Sequence, residues 1–349
     1  MRVLSSEMFS SLPNQLHTEE PQALPLLKRL RRNRKSPAVR ALLQETRLHP
    51  SDFVAPLFVQ EGVKQQTAIA SLPGVSRLSI DLVLKEVEQL VAAGIQAIDL
   101  FAVVPQEKKD AKGSEALREE NLICRAVQAV KREFPQLCVM ADVALDPYTD
   151  HGHDGLIDTE GRVINDESVR VLGKMSLLLA EAGVDVIAPS DMMDGRVAYI
   201  RALLDREHFT DVSILSYTAK YASAFYGPFR EALSSAPKSG DKLGYQLSPP
   251  NRREALLEAA LDEAEGADML LVKPALAYLD ILAAVKERTL LPVGGYHVSG
   301  EYAMVKAAGE RGWIDADRAM IECLMAIKRA GADFIFTYAA KEVATVLNR

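Results

Sequence analysis

Two lysines stand where apolar runs of the chain end. Ser-Ile-Leu-Ser-Tyr, starting at Ser213, is followed by Thr-Ala and then Lys220, and Met-Leu-Leu-Val leads into Lys273 and Pro274. A lysine at the end of an apolar strand points into a low-dielectric interior, where loss of hydration disfavours the ammonium and lowers its pKa. Two amines on adjacent strands also repel each other, which lowers at least one of them further. A neutral amine at neutral pH is the nucleophile that attacks a carbonyl to form a Schiff base. Either lysine alone reads as an ion-pair partner or a side chain that snorkels to the rim. The two together, at the ends of successive apolar runs, point to carbonyl chemistry.

A second cluster lies in the segment from Asp142 to Gly155, which holds Asp142, Asp146, Asp150 and Asp154 with His151 and His153. Carboxylates and imidazoles at a strand end could hold a hard divalent cation or relay protons. The plainer alternative is a turn rich in local hydrogen bonds. Ser190-Asp-Met-Met-Asp-Gly195 follows another apolar run, and there Ser190 or Asp191 could cap a helix or face the site. Phe225-Tyr-Gly-Pro-Phe-Arg230 opens a long connection with Ser, Pro and Gly up to Pro250, longer than ordinary loops and read as a lid. Arg230 and Lys242 within it could clamp a carboxylate; ordinary surface cations are the alternative. Ser299 and Tyr338 offer hydroxyls at two later strand ends, for a second carboxylate or as satisfied core polar groups.

Positioning such groups needs strands that end together. From Phe53 onward, short apolar runs alternate with amphipathic patterns. The runs are Phe53–Phe58, Ala97–Ala102, Cys138–Leu145, Val186–Pro189, Ser213–Tyr217, Met269–Lys273, Pro292–His297 and Phe334–Tyr338. They are continuously apolar, as buried parallel strands are. Helical patterns lie between them, for instance Asp81–Ala93, Ser114–Glu133, Ser168–Ala182, Asn251–Glu265, Leu279–Arg288 and Ala316–Ala330, several closed by a glycine such as Gly94, Gly183, Gly266 or Gly331. Eight such units predict a (β/α)8 TIM barrel over residues 46–349, with catalytic groups at the C-terminal strand ends. A doubly wound sheet is the alternative, but the chain has no GxGxxG loop.

Residues 1–45 read as an extended N-terminal arm. Met1–Leu26 is polar and aperiodic, and a basic run from Lys28 to Lys35 follows. Nucleic-acid binding is one reading of that run. Docking on a carboxylate-rich partner surface fits better, because the body is acidic and no aromatics interleave the charges.

The chain has 349 residues, 48% hydrophobic and 26% charged, with net charge -7, which argues against a nucleic-acid or membrane-surface binder. No apolar run approaches the roughly 20 residues of a membrane span. No secretory layout opens the chain, and Glu7, Glu19 and Glu20 argue against a transit peptide, so a cytoplasmic location is expected. Cys124, Cys138 and Cys323 are too few and scattered for a disulfide framework or zinc ribbon.

Taken together, Ser-Tyr-Thr-Ala-Lys220, Phe-Tyr-Gly-Pro-Phe-Arg230, Met-Leu-Leu-Val-Lys273-Pro, Tyr-His-Val-Ser299-Gly and the Asp142–Gly155 segment closely resemble the porphobilinogen synthase family, from about Arg31 to the C-terminus. The resemblance implies a lyase of tetrapyrrole (haem and chlorophyll) biosynthesis that condenses two 5-aminolaevulinate molecules to porphobilinogen. It implies that Lys273 forms the Schiff base with the first-bound substrate and that Lys220 binds the second or tunes the first amine. Arg230, Lys242 and Gln246 match lid residues that hold one substrate carboxylate, Ser299 and Tyr338 those holding the other, and Asp142 and Ser190 polar positions around the reacting amino groups. It also implies a homo-octamer whose arms hug neighbouring barrels.

Zinc-dependent members carry three cysteines where this chain has Ala144, Asp146 and Asp154. Oxygen ligands suit Mg²⁺ or a monovalent ion, so the chain is similar to the aspartate-rich branch and a catalytic zinc is not expected. Glu258 matches the glutamate of an allosteric Mg²⁺ site, and Lys242 stands where other members have Arg, keeping the charge without the bidentate fork. Two other readings are a class I aldolase or transaldolase, which would need a phosphate site that Gly294-Gly295 serves poorly, and a non-catalytic oligomeric metal-binding protein.

Overall fold

The computed structural model describes residues 26–348. The chain divides into two units, residues 1–45 and 46–349. The polar leader expected over Met1–Leu26 lies outside the described residues except for Leu26. In the first unit the basic run forms a 3-10 segment, Leu30–Arg34, and Pro37–Leu42 makes a short α-helix. Ser36 caps that helix by accepting from the Val39 N–H, with Pro37 at the first helical position, where its missing N–H costs nothing.

The second unit is a closed barrel. Its strands are β1 Phe53–Gln60, β2 Ala97–Val103, β3 Cys138–Val143, β4 Val186–Pro189, β5 Ser213–Lys220, β6 Met269–Lys273, β7 Val293–His297 and β8 Phe334–Thr337. Each pairs in parallel with the next, and β8 closes on β1 through Phe53↔Ile335 and Val54↔Phe336. Side chains on both strand faces are buried: every residue of β1 is buried except Gln60. One face fills the barrel and the other packs under the helices, so the runs are apolar throughout.

The helices are α1 Ile80–Ala92, α2 Leu122–Glu133, α3 Asn165–Glu181, α4 Arg196–Arg206, α5 Gly227–Leu233, α6 Arg253–Ala264, α7 Leu279–Lys286, α8 Ser299–Glu310, α9 Ala316–Arg329 and α10 Ala340–Leu347. The four glycines expected to close helices have positive φ, between 88° and 115°. Among the described residues no helix is long and apolar enough to cross a membrane.

Three local expectations need correction. The helical pattern from Ser114 to Glu133 is two pieces, a 3-10 turn at Ser114–Leu117 and then α2. Asn121 separates them, because its side chain accepts from the Cys124 N–H at 2.9 Å and its extended backbone caps the new helix. Strand β3 ends at Val143 rather than Leu145, because the Leu145 N–H bonds to the Asp154 carbonyl and folds the acidic segment back on itself. Strand β5 continues past Tyr217 to Lys220, so Lys220 lies within the strand rather than beyond it.

Candidate active site

The two lysines meet at the C-terminal ends of β5 and β6. Their backbones are register partners, Lys220↔Lys273, after a shift between Leu270 and Val272 that gives β5 one extra residue. Both side chains are buried and line one narrow pocket with Asp142, Asp146, Asp154, Ser190, Tyr226, Phe229, Arg230, Lys242 and Gln246. Nine of the residues singled out as site candidates therefore share one pocket.

Lys273 sits in an aromatic box. Its Nζ is 4.3 Å from the ring centre of Tyr296 on β7, 4.7 Å from Phe229 on α5, 5.0 Å from Tyr217 on β5 and 5.5 Å from Tyr226 before α5. Among the described residues no carboxylate lies within ion-pair distance of it. The ring faces favour an ammonium, but removing water from the same volume works the other way, and the Lys220 charge adds to that. Burial first, then repulsion from Lys220, pull the Lys273 pKa down to about 7, where a useful fraction is neutral amine. Lys220 is held differently: it donates to the Ser190 carbonyl and lies 4.0 Å from Asp154 Oδ2.

The acidic segment supplies the counter-charge. Asp142, the last residue but one of β3, bonds to the Ser190 side chain and leaves Oδ1 without a partner; burial raises its pKa to about 6 against the pull of Lys220. Burial also raises Asp146, opposed by Lys242. Asp154 goes the other way: burial alone would raise it, but Lys220 and Lys242 hold it below the usual carboxylate range. Lys242 Nζ is 3.0 Å from Asp154 and 3.6 Å from Asp146, and Gln246 Nε2 donates to Asp154 at 3.2 Å. Two residues expected to hold a substrate carboxylate thus also contact the residues expected to hold a cation.

The connection after β5 covers this pocket. It carries α5, with Phe229 packed edge-on to Phe101 at 5.3 Å. Two glycines allow its backbone to approach closely. A Cβ at Gly300 would lie 2.5 Å from the Phe225 carbonyl oxygen, and one at Gly152 would lie 2.6 Å from that of Ala236. Ser299 accepts from the Phe229 N–H at 3.0 Å and donates to the Phe225 carbonyl at 3.3 Å, so its hydroxyl holds the lid backbone. Tyr338 shares a 3.3 Å hydrogen bond with Tyr296 and stacks on Phe58. Neither Ser299 nor Tyr338 lines the lysine cavity. Glu258 lies apart on α6, beside another cavity with Glu254 and Asp194.

Sequence reasoning did not single out Tyr217, Tyr226, Phe229 or Tyr296, although all four lie in the motifs that carry the lysines, Arg230 and Ser299. It also missed Asp99, a fully buried carboxyl on β2 that accepts from Tyr217 Oη at 3.2 Å. Its placement inside an apolar strand, as with Lys273, was the available signal. Asp191, expected to cap or to face the site, is buried, accepts from the Met193 N–H and lies 3.9 Å from Arg196.

A closed parallel barrel with a desolvated lysine beside a second amine at its mouth defines the class of Schiff-base-forming barrel enzymes. Residues 27–346 match the delta-aminolevulinic acid dehydratase family, and the chain belongs to it. It is 51% identical to the delta-aminolevulinic acid dehydratase of Chlamydia pneumoniae over 327 residues, 94% of this chain and 98% of that one. It is 52% identical to the enzyme of the same name from Halalkalibacterium halodurans over 321 residues, 92% of this chain and 97% of that one. The crystal structure of the delta-aminolevulinic acid dehydratase (porphobilinogen synthase) from Toxoplasma gondii, in complex with the reaction product porphobilinogen, superposes with a TM-score of 0.91 at 50% identity, covering 93% of this chain and 92% of that one. Membership sets aside the aldolase and the non-catalytic readings. Gly294 also serves packing rather than a phosphate, because a Cβ there would overlap Phe334 and Leu271.

Proposed function

We infer that this chain catalyses the reaction of its family, the asymmetric condensation of two 5-aminolaevulinate molecules to porphobilinogen with loss of two waters, in tetrapyrrole biosynthesis. The observation that carries the residue assignment is the register pairing of Lys220 and Lys273 in one buried pocket, with Lys273 poised near neutrality. The Lys273 amine adds to the ketone of one substrate, and loss of water leaves an imine that acts as an electron sink. Lys220 engages the ketone of the other. Asp142, at about 6, can take or return a proton near neutral pH, with Ser190 orienting it. Arg230, with Lys242 and Gln246, receives one substrate carboxylate; the latter two must share or exchange their bonds to Asp154 to do so. Ser299 and Tyr338 are assigned to the other carboxylate, and the aromatic box excludes water from the imine.

The donor set at Asp146 and Asp154 is a poor fit for a divalent ion as it stands. Lys242 already meets both carboxylates, and among the described residues no group of three or more His, Cys, Asp or Glu side chains converges as a metal cage. A Mg²⁺ or monovalent ion there would have to displace the Lys242 ammonium, and no step above passes through it. Glu258 suits Mg²⁺ better. Burial raises its pKa to about 7, with Asp262, Asp194 and Glu254 adding repulsion against the relief of Arg196. A hydrated Mg²⁺ held by one or two carboxylates would relieve that crowding. We assign the arm with its basic run to docking in a homo-octamer. The free thiols of Cys124, Cys138 and Cys323 suit a reducing cytoplasm.

Borohydride reduction with 5-aminolaevulinate followed by mass spectrometry tests the reading. A substrate-sized adduct on Lys273, abolished in Lys273→Met along with turnover, is the expected result. Substantial activity in that variant would sink the assignment.

A further inference from the structure

Two cations outside the pocket spend their charge on main-chain carbonyls of the lid. Arg77 Nη2 donates to the Glu231 carbonyl at 2.6 Å and its Nε to the Ala232 carbonyl at 2.7 Å. Lys109 Nζ donates to the Ser234 carbonyl at 3.0 Å and the Leu233 carbonyl at 3.4 Å. These four consecutive carbonyls end α5, where a helix leaves acceptors unsatisfied and its dipole favours positive charge. Lys109 is only 9% exposed, and among the described residues neither cation is ion-paired with a carboxylate. A buried lysine without a carboxylate partner carries a desolvation cost, which here is offset by the lid backbone.

Both cations are anchored in the barrel. Arg77 lies in a short strand paired with β1, Phe58↔Arg77, and its carbonyl accepts from Gln60 Nε2 at 3.1 Å. Lys109 follows the 3-10 turn Gln106–Lys108 beyond β2. One turn upstream of the clasped carbonyls are Phe229, whose ring covers Lys273, and Arg230, which lines the cavity.

We propose that Arg77 and Lys109 form a latch that holds the C-terminal end of α5 and thereby positions Phe229 and Arg230 over the reacting lysine. They are positioning residues that act through α5. The proposal rests on the reading of the pocket given above as the place of reaction.

The test compares the parent enzyme with an Arg77→Gln/Lys109→Met double variant and with an Arg77→Lys/Lys109→Arg variant that keeps the donors. Trypsin cleavage after the exposed Lys238 reports lid opening directly. The double variant should be cut at least about tenfold faster, with KM for 5-aminolaevulinate raised about tenfold and kcat changed less, the loss expected for charge-assisted bonds. Uncovering Lys273 should also move the acidic limb of its Schiff-base formation to higher pH, which a general loss of stability would not do. The conservative variant should restore all three. Parent-like lid cleavage and an unmoved limb in a folded double variant overturn the latch, as does failure of the conservative variant to rescue. Should the double variant not fold, Arg77→Gln alone is judged by the same readouts. Lid cleavage is readable whether or not an adduct forms on Lys273, so failure of the latch and failure of the pocket assignment are told apart.

Discussion

Lys220 and Lys273 stand directly opposite each other only because β5 carries one residue more than β6. Leu215 pairs with Met269, and the following rungs shift by one between Leu270 and Val272, so five steps along β5 match four along β6. Without the bulge, Lys273 would face Ala219, and Lys220 would fall one residue later. In a strand, one residue turns a side chain to the opposite face. Bulges near active sites re-aim side chains in this way, and here the irregularity places both amines on the interior side.

Lys273→Met should abolish turnover yet stabilise the fold. The Lys273 pKa falls from the ordinary 10.5 to about 7 on folding. Between those values the unfolded chain binds a proton that the folded one does not, so folding is penalised below about pH 10 and the penalty shrinks as pH rises through that window. An apolar side chain removes the penalty. We expect a gain of roughly 1–3 kcal/mol at pH 7, somewhat larger below pH 7 and fading toward pH 10, measured by denaturant unfolding. An equal or lower stability at pH 7 would contradict a desolvated amine.

Lys220→Met should move the titration of Lys273 upward, because repulsion from Lys220 is the second cause of its lowered pKa. The rate of borohydride-trappable imine formation at Lys273, followed against pH, should have its midpoint above 7 in the variant. The same variant should trap one substrate per site and form no porphobilinogen. An unchanged midpoint would mean that burial alone lowers Lys273.

Lys242 and a cation should compete for Asp146 and Asp154. Lys220 and Lys242 together keep Asp154 ionised, and removing Lys242 would leave the buried Asp146 and Asp154 carboxylates with Lys220 as their remaining nearby counter-charge. Calorimetric titration with Mg²⁺ and K⁺ should therefore show tighter binding to Lys242→Met than to the parent, by about tenfold or more. Equal affinity would place any bound ion elsewhere.

At Glu258 the sign is reversed. Its folded pKa of about 7 lies above the ordinary 4.5, so its contribution favours folding below about 4.5 and is lost as pH rises through 7. Added Mg²⁺ should raise Tm at pH 8 and do little at pH 5.5, and Glu258→Gln should lose the effect at pH 8. A Tm rise that survives the substitution would exclude Glu258 as the ligand.

Much of the candidate site was legible because buried parallel strands announce themselves locally. Continuous apolar runs located all eight strands, and a lysine interrupting or ending such a run stood out without any knowledge of its neighbours. Likewise the density of aspartates from Asp142 to Asp154 named a polar segment at a strand end. Helix breaks were less visible: Asn121 stops one pattern and starts another by a side-chain bond that periodicity does not register.

Residue types and their order along the chain thus determined the barrel, the two lysines at its strand ends and the acidic segment, since hydrophobic period and local composition are properties of neighbouring residues. Tertiary structure alone decided that Lys220 faces Lys273 across a bulge, that rings from β5, β7 and the lid surround one nitrogen, and that Lys242 reaches Asp154 from 88 residues away. These depend on register and on how the lid lies over the barrel, and contacts between distant segments leave no period in the sequence to be read.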